Sequence, residues 1–204
     1  MSVLTKAPWA LTVLICAAAA PSFAGVRAFP EFENIMSEHP QLIANDGEFA
    51  SAEDAEAYLI ETLPLAAAGN PKYRGEKEGT LTQWLTKTVK FRPSATPHGI
   101  LITMDEEAVE FRDGVKTGVV THDVEFAIED VRVSELSDSA YLTESGEKAL
   151  GIIFHCNSGK CIAARWNGAP SSADKTDISI QDPALRAKIL KAFEALKRAA
   201  GDRG

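Results

Sequence analysis

The sequence predicts an α+β fold, mainly antiparallel β, with a helix at each end of a single globular domain. Three observations predict it. Apolar residues recur at helical spacing near residues 52–63 and again over 183–199. Between them, residues 81–180 hold about seven short runs rich in Val, Ile, Thr and aromatics, the residue types that suit a pleated surface. Turn signals such as Asp113-Gly114 separate those runs, and such a dipeptide tolerates the positive φ that a two-residue hairpin requires. The 204 residues are 45% hydrophobic and 25% charged, an ordinary globular composition.

The first 24 residues read as a secretory signal. Lys6 gives a positive start, Trp9–Ala20 is an apolar run of 12 residues, and Ser22-Phe23-Ala24 offers small residues at the cleavage positions. The run is shorter than the ~20 residues a spanning helix needs. Removal of this segment takes away Lys6 and no acid, which leaves 180 residues with a net charge of −9. Residues 25–50 have no clear period and are expected to be an irregular lead-in.

The domain proper is expected over residues 51–200. Ser51 is placed to cap a helix over 52–63, with Asp54 three residues on, and Ala55, Leu59 and Leu63 form its stripe. Pro64 is expected to end it. Residues 68–79 read as a polar loop, and 83–91 as the first strand. Ile100–Met104 and Ala108–Arg112 read as strands separated by a charged turn, Asp105-Glu106-Glu107. Val124, Phe126 and Ile128 alternate with polar neighbours, as in a strand buried on one side. Residues 134–148 and 167–175 read as loops, with a short last strand at Ile178 and Ile180. Asp182-Pro183 then starts a helix whose stripe is Leu185, Ile189, Ala192, Phe193 and Leu196. That stripe is expected to close the open end of the sheet.

The sharpest local feature is Cys156-Asn157-Ser158-Gly159-Lys160-Cys161. It reads as a hairpin with the cysteines facing each other at the strand ends, within disulfide reach. A metal site using His155 is disfavoured, because adjacent strand residues point to opposite faces. A redox dithiol is disfavoured by the four intervening residues.

No assembled catalytic constellation is visible. His39 and His98 sit beside prolines, His122 precedes Asp123, and His155 precedes Cys156. No serine lies in a Gly-x-Ser-x-Gly elbow, no calcium loop or phosphate-cradling glycine loop is present, and no cofactor is expected. A basic cluster, Lys72, Arg74, Lys87, Lys90 and Arg92, is the weak candidate for an anion or head-group site. The acidic balance argues against nucleic-acid partners, and no second segment reaches spanning length.

The Val124/Phe126/Ile128 alternation, the cysteine hairpin and the amphipathic terminal helix together resemble the pleckstrin-homology-like barrel over roughly residues 81–199. The chain is also similar to exported bacterial proteins that carry a cysteine hairpin before such a helix. The resemblance implies two near-orthogonal sheets plugged by the terminal helix, and binding or scaffolding more than catalysis. The expected function is a periplasmic or secreted non-enzymatic binding module whose partner is another exported protein or a cell-envelope component. A small-ligand or lipid carrier, and a hydrolase using His122 or His155, are the alternatives. The intact mass of the exported protein checks the first step: it is expected to correspond to a chain beginning at Gly25, and a mass that retains residues 1–24 contradicts it.

Overall fold

The computed structural model describes residues 49–136 and 150–201. The expected signal segment, most of the lead-in and most of the 134–148 loop lie outside these. The elements run α1 (Ala52–Ala67), β1 (Pro71–Lys77), β2 (Thr80–Thr96), β3 (Gly99–Arg112), β4 (Val115–Ala127), a 3-10 turn (Ile128–Asp130), β5 (Val131–Leu136), β6 (Gly151–Cys156), β7 (Ile162–Trp166), β8 (Ala169–Ala173), β9 (Lys175–Ser179) and α2 (Pro183–Gly201). The α+β class with a helix at either end is as expected.

Both helix starts follow their caps. Ser51 Oγ accepts from the Asp54 amide at 3.1 Å, and Asp182 Oδ1 accepts from the Leu185 amide at 2.8 Å. The first helix runs one turn beyond Pro64, to Ala67. Ala66 and Ala67 are buried there, and Asn70 Nδ2 donates to the Ala66 carbonyl at 2.6 Å, so packing and a side-chain cap hold the extra turn. The stripe of α2 packs inward: Leu185, Ile189, Ala192, Phe193 and Leu196 are all buried.

The strands are longer and more numerous than expected, nine among the described residues. Residues 71–77, expected in a loop, form β1, which returns into β2 through a Glu78-Gly79 turn with both φ positive. Residues 169–173, also expected in a loop, form β8. Asn167-Gly168 makes its turn from β7 with φ of 47° and 80°, and Asn167 Oδ1 accepts from the Thr121 amide. Asp113-Gly114 makes the expected hairpin between β3 and β4. The charged turn expected at Asp105-Glu106-Glu107 does not exist, because β3 runs straight through it for 14 residues. A register shift between Thr86 and Thr88, with Lys87 as the extra residue, lets the long β2 stay paired alongside.

Two antiparallel sheets result, ordered β1-β2-β3-β4-β7-β8 and β5-β6-β9. Neither closes into the expected barrel. The cysteine hairpin is also corrected. β6 is the middle strand of the smaller sheet, so β5 and β9 already occupy both its edges, and β7 pairs with β4 instead. The disulfide does form, Cys156 to Cys161, with Cα atoms 5.6 Å apart, but it ties one sheet to the other.

Among the described residues the chain crosses between the sheets three times: at Ile128–Asp130, at 157–161 and at Asp174. All three crossings meet at the disulfide. Asn157 donates from its amide to the Asp130 carbonyl at 2.8 Å and from Nδ2 to the Glu129 carbonyl at 2.9 Å. The Cys156 amide donates to the Asp174 carbonyl at 2.8 Å. The core lies between the sheets and under the helices. Phe193 of α2 meets Phe91 of β2 and Phe154 of β6 edge-on, at 5.6 and 4.9 Å, and Phe126 of β4 completes the cluster. Replacing both Cys156 and Cys161 by alanine is expected to lower stability by about 2 kcal/mol, as its short loop implies. A urea titration with an unchanged midpoint would contradict it.

Candidate functional site

The acidic run and the basic cluster turn out to be partners. On β3 the three acids alternate in direction. Asp105 accepts from Arg92 at 2.6 Å and Glu107 from Lys87 at 3.0 Å, both on the outer face. Such exposed pairs contribute about 0–1 kcal/mol each. The middle residue, Glu106, turns inward and meets Lys72 of β1 at 3.1 Å. Three of the five expected anion-binding cations are therefore engaged by carboxylates. Lys90 is exposed on β2, and the Arg74 side chain lies outside the described set.

The Lys72–Glu106 pair is buried, with each side chain less than a tenth exposed. Lys72 Nζ also donates to the Asp177 carbonyl of β9 at 2.6 Å and lies 3.4 Å from its carboxylate. Glu106 accepts from Thr86 Oγ1 at 2.9 Å. His122 Nδ1 stands 3.8 Å from Glu106 Oε2, an electrostatic contact too long for a hydrogen bond. Burial alone would raise the Glu106 pKa. The Lys72 charge, with His122 and the Thr86 hydroxyl, outweighs burial and brings it down to about 2 from 4.5. The carboxylate thus stays ionised in a dry setting.

Around this cluster the inner face of the larger sheet changes character. On one side of Glu106 and His122 it carries Val89, Phe91, Met104 and Phe126, all core. On the other it opens into a cleft of about 610 Å³ bounded by β1, β2, β3, β4, β7 and β8 of that sheet and by β9 of the smaller one. Two indoles line it. Trp166 of β7 stacks flat on its cross-strand partner His122, ring centres 3.8 Å apart and planes 13° apart. Trp84 of β2 leans against Trp166 at 5.7 Å. Trp84 Nε1 donates to Glu110 Oε2 at 3.1 Å, while Glu110 Oε1 accepts from Thr117 and Arg112. The Thr117 hydroxyl is the main cause of the lowered Glu110 pKa; partial desolvation opposes it and Trp84 and Arg112 add to it.

Among the described residues the histidines do not gather, and His39 lies outside that set. His122 faces the cleft on β4 and His155 lies on β6 of the other sheet, and Asp123 points away from His122 as adjacent strand residues must. Among the described residues no group of three or more His, Cys, Asp or Glu could hold a metal ion, and no helix is long and apolar enough to cross a membrane. Sequence reasoning missed the cleft. Its one available signal was the two tryptophans, each in a run of strand residues.

Comparison with known protein families, with curated proteins and with solved structures finds no match for the chain.

The Glu106 shift sets a pH dependence. A carboxyl whose pKa falls on folding stabilises the fold above its unfolded value of 4.5, and that contribution is lost as pH drops from 4.5 towards 2. Denaturant titrations at pH 6 and pH 2.5 are expected to show a loss on the order of 3 kcal/mol that the Glu106→Gln variant lacks. Parallel losses in both proteins would contradict the assignment.

Proposed function

We propose that the protein is an exported, non-enzymatic binding module that receives its ligand in the cleft over Trp84 and Trp166. The observation that carries this reading is the cleft itself. Its volume of about 610 Å³ is that of a small-molecule site, and charged and hydroxyl-bearing side chains surround an aromatic floor. Its floor is held rigid. His122 backs one indole, Glu110 anchors the other, and the buried Lys72–Glu106 pair sits beneath. Export is supported by the signal-like segment over residues 1–24 and by the paired cysteines. A lipid carrier draws less support, because Phe91, Phe126, Phe154 and Phe193 fill the space between the sheets where an acyl chain would lie.

A thermal-shift screen against a varied collection of metabolites and oligosaccharides tests the reading. At a hundredfold excess over Kd, a bound ligand is expected to raise the midpoint by roughly 5–10 °C and to be recovered chemically unchanged. Recovery of a hydrolysed ligand, with loss of that turnover in His122→Ala or His155→Ala, would replace the binding reading with the hydrolase.

A further inference from the structure

We infer that the cleft takes an anionic saccharide: a sugar ring carrying a carboxylate or a phosphate, laid against the indoles, with its charge met by Lys77 and Lys175. This rests on the cleft being a binding site, and it names the class of ligand.

The floor comes first. Trp84 and Trp166 come from strands separated in the sheet by β3 and β4, so only the curl of the sheet brings them together. They present a large apolar surface whose orientation is fixed on one side by the His122 stack. A pyranose has an apolar face of C–H groups that suits an indole and a rim of hydroxyls that needs partners.

The rim of the cleft supplies such partners. Thr82, Thr176, Glu110 and Asp177 border the indoles with hydroxyl and carboxylate oxygens, and Arg112 adds donors. A flat aromatic acid would cover these groups without pairing them, and an unpaired desolvated polar group is costly. A hydroxylated ring pairs them.

The charge comes last. Among the described residues four cations line the cleft: Lys72, Lys77, Arg112 and Lys175. Lys72 is buried against Glu106 and Asp177, and Arg112 is bound to Glu110. Lys77 and Lys175 are exposed, and neither makes an ion pair among the described residues. One stands on β1 and the other on β9, on the two sides of the seam where the sheets do not pair. In a chain of net charge −8, two ammonium groups without an ion pair among the described residues, both lining one cleft, favour an anion there and speed its approach.

Calorimetric titration of the full chain tests this with four probes: glucuronate, glucose 6-phosphate, glucose and benzoate. At least one charged sugar is expected to bind tenfold or more tightly than glucose or benzoate and to change the near-ultraviolet circular dichroism of the indoles. Which of the two binds identifies the charge. The double variant Lys77→Gln/Lys175→Gln, altered only at exposed positions, is expected to bind that sugar no better than glucose. Equal binding of charged and neutral sugars, or an unaffected double variant, overturns the role of the charge. Tighter binding of benzoate overturns the sugar and leaves a binding site. If neither charged sugar binds, the inference falls, whereas the binding reading itself falls only if the wider thermal-shift screen also yields no ligand.

Discussion

A buried ammonium group organises this molecule. Lys72 sits on the edge strand of one sheet and reaches a carboxylate in the middle of that sheet and a backbone carbonyl on the edge of the other. Burying a charge is unfavourable unless it is paired and hydrogen-bonded. Here Glu106 supplies the countercharge and Asp177 the further acceptors, while Thr86 satisfies a Glu106 oxygen. The seam between β1 and β9, which lacks a backbone ladder, is therefore bridged by the Lys72 side chain, with Asn70 Nδ2 donating to the Ser179 carbonyl at 3.1 Å beside it. Removing Lys72 leaves an uncompensated carboxylate inside, and in such buried pairs that step costs about 3–5 kcal/mol, whereas removing Glu106 leaves Lys72 with the Asp177 carboxylate at 3.4 Å.

The same cluster divides the inner face of the large sheet. Phenylalanines and aliphatic residues pack on one side, and an aromatic cleft opens on the other. A fully apolar inner face would be expected to collapse onto the smaller sheet along its whole length. The ionised Glu106 and the stacked His122–Trp166 pair interrupt that collapse with groups that must stay fixed in place. A packed core and a preorganised concave surface thus coexist on one set of strands.

What could be read from the sequence was what is local. Ser51, Asp182 and the two apolar stripes located the helices, because a cap and its partner lie within one turn. Asp113-Gly114 located a hairpin for the same reason. Asn167-Gly168 carries the same turn signal, but the residues after it, APSSA, lack the apolar alternation of a strand and read as loop. The site was not legible. Three consecutive acids look like a solvated turn, and nothing local shows that the middle one faces a lysine on another strand. Lys72 and Asp177 are 105 positions apart, so their contact exists only once both sheets have formed. The cation cluster misled for a related reason: each of Lys72, Lys87 and Arg92 was already matched to one member of that acidic run.

The disulfide corner has a consequence for how the chain reaches this arrangement. The bond joins residues five positions apart; chain contact across a loop of that order forms within about 10–100 ns, long before distant strands can find each other, although the disulfide itself takes seconds or longer to form. A closed Cys156–Cys161 loop fits a simple β6–β7 hairpin as well as it fits the crossing between sheets. The hairpin that the sequence suggests is thus a local kinetic rival of the native pairing. The decision falls to β5 and β9, which must claim both edges of β6 before β7 settles there. Folding speed should then be governed by the arrival of β9, the last strand in the chain, and by its Asp177 anchor to Lys72.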